Sequence, residues 1–150
     1  MNFKHGNILE ATENIIVHQV NNLGIMGAGL ALQIKNKWPD VYTEYKKYIH
    51  QMNTIKSTKH TLIGSIHLVP INNNQVIINM FSQNGISRTK RTTDYDAMEQ
   101  CFKQIQKIIQ ETNHTVAIPY KIGCGLAGGD WNIVQNLIEK YLPNATIYKL

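Results

Sequence analysis

Two stretches of this sequence share one construction: a short apolar run, a glycine-rich turn, then a segment of helical periodicity. The first is IIVHQVNNLGIMGAGLALQI, residues 15–34, and the second is VAIPYKIGCGLAGGDWNIV, residues 116–134. Glycine lacks a Cβ and takes positive φ without strain, so in such turns several backbone N–H groups can converge on one anion. The helix that follows adds the partial positive charge of its N-terminus. In an open α/β sheet both turns lie beyond the carboxyl ends of their strands, where ligands bind. One such turn by itself reads as a tight connection. Two of the same type, each between a buried strand and a helix, suit a diphosphate held from both sides.

Side chains beside these turns supply the candidates for chemistry. His18 lies mid-strand near Asn21 and reads as a hydrogen-bonded structural histidine, with proton relay or contact with a bound ligand as the alternative. Asp130 precedes the last helix and reads first as its N-cap, the alternative being a general base that activates water. Cys124 sits in a helix-leading turn, a place that lowers a thiol pKa, but a turn committed to phosphate reads against a nucleophilic role. His60 and His67 are separated by too much strand for a metal pair, and Cys124 has no nearby Cys or His, so no metal site and no cofactor are expected. A dinucleotide fingerprint needs G-x-G-x-x-G or A after the first strand, and here Leu32 stands at the third position of a turn after the second strand. Neither turn leads into Gly-Lys-Ser/Thr, so a P-loop fails as well.

The elements that position these residues follow from the periodicity. Asn2–His5 and Asn14–Gln19 read as strands, the second carrying the continuous run Ile15-Ile16-Val17 expected of a strand covered on both faces. Leu30, Ile34 and Trp38 keep a helical register until Pro39, which opens a second helix with Val41, Tyr45, Tyr48 and Ile49 on one face. Tyr42, Tyr45 and Tyr48 at that spacing read as packing residues rather than a ligand box. Alternation around His67 and from Val76 to Met80, with Asn72-Asn73-Asn74 between, predicts a hairpin with its second strand ending at Phe81. Asp94 caps the longest helix, in which Tyr95, Met98, Phe102, Ile105 and Ile109 recur at i+3 or i+4. Thr115–Pro119 is a short buried strand, a helix follows with Val134, Leu137, Ile138 and Tyr141 inward, and Ala145–Tyr148 is the last strand. Strands alternating with helices, plus one hairpin, predict a three-layer α/β/α domain around a mixed sheet.

Composition sets the outer bounds. The chain has 150 residues, 15 basic and 10 acidic side chains, a formal charge of +5, 43% hydrophobic and 17% charged residues. This is one domain's worth of chain, able to bury about 68–70% of its unfolded surface without staples. Disorder, collagen and coiled coil are excluded on composition. No run approaches the ~18–20 apolar residues of a membrane span, so no membrane partner is expected. The start lacks an apolar core behind a basic head, so no signal peptide is expected, and two unpaired cysteines fit a reduced, cytoplasmic setting. Arg88, Lys90 and Arg91 form a basic loop that reads as solvated, the alternative being a rim attracting an anionic chain or nucleic acid.

Taken together, the motifs resemble those of a macrodomain, the ADP-ribose-binding α/β/α module, over nearly the whole chain. The resemblance runs through Gly6-Asn7-Ile8-Leu9, Ile16-Val17-His18-Gln19-Val20-Asn21, Met26-Gly27-Ala28-Gly29-Leu30-Ala31, and Ile122-Gly123-Cys124-Gly125-Leu126-Ala127-Gly128-Gly129-Asp130-Trp131. The pairing of M-G-A-G-[IL]-A with I-G-C-G-L is similar to the branch with terminal ADP-ribose glycohydrolases and ADP-ribose-1″-phosphate phosphatases. The resemblance implies that Asn7, with Ile8 beside it, meets adenine, where the family carries an Asp. It implies that Asn21 orients the distal ribose, that Gly27, Ala28 and Gly29 form one phosphate cradle, and that Gly123, Cys124, Gly125, Leu126 and Ala127 form the other. Tyr148 would border the adenine. The glycohydrolase Lys and Asp positions are occupied by Gln83 and Ala127, and Gln has no amine to form a lysyl adduct with an opened ribose.

The expected function is therefore ADP-ribose binding with hydrolysis of a substituent on the distal ribose, a 1″-phosphate or an ester-linked group. Asn21, Asp130 and His18 are the catalytic candidates, with neither metal nor covalent intermediate. The partner is ADP-ribose or an ADP-ribosylated substrate, nucleic acid entering only as a modified substrate. A non-catalytic reader is the rival expectation, and a basic nucleic-acid-binding domain with a vestigial cleft is the third.

Overall fold

The computed structural model of the chain describes residues 1–55 and 61–150. Six strands form one sheet: β1 (Asn2–His5), β2 (Ile15–Asn21), β3 (Ile66–Asn72), β4 (Gln75–Gln83), β5 (Val116–Pro119) and β6 (Thr146–Lys149). Four α-helices lie among the described residues: α1 (Gly29–Lys37), α2 (Pro39–Thr54), α3 (Tyr95–Thr112) and α4 (Trp131–Tyr141). The spatial order is β1-β6-β5-β2-β4-β3, with only the β3–β4 hairpin antiparallel. The expected mixed sheet between helical layers is what forms.

Why these residues make these elements is local in most cases. Ile15-Ile16-Val17 places β-branched side chains on both faces of a central strand, and all three are buried. Ile15 and Val17 enter the core under α3 and α4, whereas Ile16 and Val20 enter the core under α1 and α2. α3 begins where the Asp94 carboxylate accepts the Ala97 N–H at 3.0 Å and ends at Asn113, whose φ of 58° is left-handed. Pro39 starts α2 where its missing N–H is not needed.

Several ends differ from the sequence reading. β2 runs two residues further, to Asn21, and β4 continues past Phe81 to Gln83, because the two strands keep pairing with a register shift at Val20/Asn21. β2, β5 and β6 begin one residue later than expected, and β6 ends one residue later. A short 3-10 turn at Ile8–Glu10, held by Asn7, carries too few residues for a periodic signal.

Topology defines a crevice. From β2 the chain crosses by α1 and α2 toward β3, whereas from β5 it crosses by α4 toward β6. The two connections diverge from adjacent strands, so the carboxyl ends of β2 and β5 flank a switch point.

Candidate functional site

The crevice holds a cavity of about 500 Å³, within the range of small-molecule sites. Both glycine turns line it: Gly27, Ala28 and Gly29 on one side, Gly123, Gly125, Leu126 and Ala127 on the other. They flank one open volume and do not fill it.

The first turn owes its shape to Asn21. Its Oδ1 accepts the Leu23 N–H at 2.9 Å and the Tyr45 hydroxyl at 2.9 Å, and its Nδ2 donates to the Ile25 carbonyl at 2.8 Å. The Tyr45 hydroxyl also lies 2.7 Å from the Asn21 carbonyl. Beyond this bend Ala28 is the N-cap of α1 and offers no side-chain cap, and the first helical acceptance is Leu32 N–H to the Ala28 carbonyl at 3.3 Å. The amides of Gly27 through Ala31 thus have no acceptor among the described residues. Gly29 has φ +56°, and a Cβ built there meets nothing within 4 Å, since the cavity is above it.

A polar row from β2 holds the second turn. Ser82 Oγ donates to Gln19 Oε1 at 2.6 Å, Gln19 Nε2 to Thr93 Oγ1 at 2.9 Å, and Thr93 Oγ1 to the Gly123 carbonyl at 2.7 Å. The Gly129 N–H adds a bond to that carbonyl at 2.8 Å, and Thr92 and Thr93 donate to the Ala127 carbonyl. Gly123 has φ +73°, and a Cβ there would lie 2.9 Å from Gln19 Oε1 and 3.1 Å from Met98 Cε. A side chain there would be strained by the positive φ and would have to displace the Gln19 amide from its bonds. The amides of Gly123, Gly125, Leu126 and Ala127 find no acceptor among the described residues. Two sets of free N–H groups, one at a helix start, face a shared volume, an arrangement suited to a phosphate on each side.

The side chains proposed for chemistry separate. Asn21 lines the cavity at 7% exposure; its Oδ1 is engaged with its own loop and one Nδ2 hydrogen goes to the Ile25 carbonyl, so it positions the turn and keeps its second N–H for the cavity side. Asp130 is outside the cavity lining and caps α4, its carboxylate accepting the Asn132 N–H at 2.8 Å; the general-base alternative has no support in this geometry. His18 lines the cavity at 1% exposure, and burial pushes its pKa down to about 4, so the ring is neutral. Cys124 is turned away: its thiol donates to the Ile122 carbonyl at 3.3 Å. The expected lowering of that thiol's pKa is reversed; burial, with the Asp130 charge nearby, pushes it up to about 11.

The residues assigned to adenine lie along the same sheet edge but outside the cavity lining. Asn7 Oδ1 accepts the Leu9 N–H at 3.0 Å, Ile8 is buried in the core, and the Tyr148 hydroxyl is bound by the Glu13 carboxylate. Gln83 does line the cavity, at the end of β4, and Ala127 lines it opposite. Lys90 is exposed and is not among the lining residues. His60, weighed with His67 as a metal pair, falls outside the described residues.

Sequence reading missed Lys121, the one charged side chain among the described lining residues. It takes φ +59°, an uncommon conformation for a residue with a Cβ. A lysine directly between a strand and a glycine turn was the available signal. Gln19, Ile25 and Ile86 also line the cavity and were missed, because only the fold turns them toward it.

Fold and crevice together define an α/β/α module with an open cavity at a switch point, walled by two glycine turns. The family model "Macro domain" matches residues 17–138, and the chain belongs to the macrodomain family. It is similar to a DNA ADP-ribosyl glycohydrolase of Thermus aquaticus, 30% identical over 146 residues, covering 95% of this chain and 38% of that protein. A protein of the same name from Mycobacterium tuberculosis is 29% identical over 152 residues, covering 95% of this chain and 40% of its own. The chain thus spans about two-fifths of the length of these curated relatives. The solved macrodomain of Thermus aquaticus DarG superposes with a TM-score of 0.76 at 27% identity, covering 98% of this chain and 95% of that one.

Proposed function

We propose that this macrodomain binds ADP-ribose in the crevice and hydrolyses the bond between its distal ribose and a substituent. One observation carries the reading: two sets of unpaired main-chain amides line a single cavity of about 500 Å³. They match the two phosphates of a diphosphate, and Lys121 is the one Lys, Arg, Asp or Glu among the described lining residues. An ADP-ribosylated DNA base is the substrate to try first, because the relatives at 30% and 29% identity bear the name DNA ADP-ribosyl glycohydrolase. ADP-ribose-1″-phosphate and ADP-ribosyl esters are the alternatives, in a cytoplasmic setting.

In this reading water adds to C1″, the bond from C1″ to the substituent breaks, and the substituent leaves with the electron pair and takes up a proton. Gln83 rules out an adduct at its own position, since an amide nitrogen is not a nucleophilic amine. No Asp or Glu lines the cavity among the described residues. Rate enhancement then rests on holding the ribose and water in line and on N–H groups facing developing negative charge.

The same two residues favour a second reading, a non-catalytic ADP-ribose reader: Gln83 and Ala127 place unreactive groups on the cavity wall. Calorimetry with ADP-ribose, with AMP as control, tests binding; absence of heat overturns both readings. Incubation with an ADP-ribosylated oligonucleotide and with ADP-ribose-1″-phosphate then separates them. Release of ADP-ribose or inorganic phosphate marks a hydrolase, and binding without release marks a reader.

A further inference from the structure

Three polar side chains cross three strands in register on the sheet face under α1 and α2: His18 on β2, Asn79 on β4 and His67 on β3. Their neighbours on that face, Ile16, Val20, Ile77 and Phe81, belong to the apolar core. His18 and Asn79 are 1% and 0% exposed. Packing alone would be served by aliphatic residues, so the row invites a chemical explanation.

Its hydrogen bonds have a direction. His18 Nε2 lies 2.6 Å from Asn79 Oδ1, and Asn79 Nδ2 lies 3.2 Å from His67 Nδ1. With the Asn79 amide oxygen toward His18, that oxygen only accepts, which assigns the His18 proton to Nε2, and the amide nitrogen only donates, which leaves His67 Nδ1 bare. The His67 ring stacks on Tyr48 with centroids 4.5 Å apart, which fixes the outer end of the row. The remaining nitrogen, His18 Nδ1, is therefore a lone-pair acceptor; it is buried and has no partner among the described residues. His18 also lines the cavity.

We propose that His18 is a specificity-determining residue, its Nδ1 lone pair held in place by Asn79 to accept a hydrogen bond from a ribose hydroxyl of the bound ligand. Burial keeps the ring neutral, so the lone pair is retained at physiological pH. The main-chain amides of the cavity are donors and read phosphate. His18 is an acceptor and reads a hydroxyl. This inference rests on the ADP-ribose reading and extends it from the diphosphate to the sugar.

Calorimetry with ADP-ribose and its single-deoxy analogues, on the unaltered protein and on His18→Phe, tests it together with imidazole ¹⁵N NMR of the unaltered protein. One deoxy analogue should bind the unaltered protein about tenfold more weakly, the scale of one lost hydrogen bond. His18→Phe should bind ADP-ribose weaker by a similar factor and no longer distinguish that analogue. The His18 Nδ1 resonance should start as a bare nitrogen and shift on adding ADP-ribose, while Nε2 stays protonated. If His18→Phe does not fold, the ¹⁵N spectrum decides by itself. ADP-ribose binding with an unmoved Nδ1, an Nδ1 already protonated, or equal discrimination in both proteins overturns the His18 assignment and leaves the function standing. No binding of ADP-ribose overturns both.

Discussion

Asn21 shows how one side chain on a cavity wall can set the shape of the turn beside it. Its carboxamide ties Leu23, Ile25 and Tyr45 into one bend. Asn21→Ala leaves the Leu23 N–H and the Ile25 carbonyl without their side-chain partner and opens the turn, so a stability loss of about 1–3 kcal/mol is expected. ADP-ribose affinity should fall with it, read by denaturant unfolding and calorimetry side by side. An unchanged affinity with lost turnover would instead restore Asn21 to direct ribose contact. His18 carries a pH signature. Its pKa falls from an ordinary 6.5 to about 4 through burial, so between those values the unfolded chain binds more protons than the folded one. Stability from this group is full above pH about 6.5 and is lost as pH falls toward 4, about 3 kcal/mol in all. Denaturant midpoints of the unaltered protein and His18→Phe, compared from pH 7 to 4, should show the variant lacking that part of the slope.

At the scale of elements, the cradles are made by neighbours of the turns as much as by their glycines. Thr93, 2% exposed, links Gln19 on β2 to the Gly123 carbonyl, so the second turn is positioned by the strand that carries the first. Thr93→Val keeps the shape and removes both bonds, leaving Gln19 Nε2 without its acceptor. The expected cost is about 1–3 kcal/mol in stability, with weaker ADP-ribose binding because the amides of Gly123 to Ala127 lose their common orientation. Thermal unfolding and calorimetry read the two effects; a variant that binds as the parent does would show that the second turn holds its shape alone. Asp130 has a similar elemental job: it starts α4, and the helix in turn buries Val134 and Ile138.

For the molecule as a whole, the ligand and the fold are linked. A ligand bound only by the folded state stabilises it by about 2.7 kcal/mol at a hundred times Kd. For a chain of this length that corresponds to a rise in Tm of roughly 5–10 °C. Differential scanning fluorimetry with ADP-ribose, against AMP at equal concentration, should show that rise for ADP-ribose. The formal charge of +5 adds a longer-range expectation. Binding of an ADP-ribosylated oligonucleotide should weaken with added salt more steeply than binding of free ADP-ribose, since only the former brings a phosphate chain to the basic loop at Arg88, Lys90 and Arg91.

Much of this was legible from residue order, because it depends on neighbours along the chain. The Ile15–Val17 run, the caps at Asp94 and Asp130, the break at Pro39 and the asparagine turn are local events, governed by backbone preference and by period. The two glycine turns were visible for the same reason, since close approach of backbone to a ligand demands that residue type in place. What the chain order could not reveal was orientation. The carboxamide of Asn21 turns into its own loop, the thiol of Cys124 turns away from the cavity, and Tyr148 is held by Glu13, 135 positions distant. Lys121 and Gln19 line the cavity, and His18 meets Asn79 across 61 residues. These are decided only when strands distant in sequence lie side by side, where burial sets pKa values and each polar atom must find a partner or wait for one.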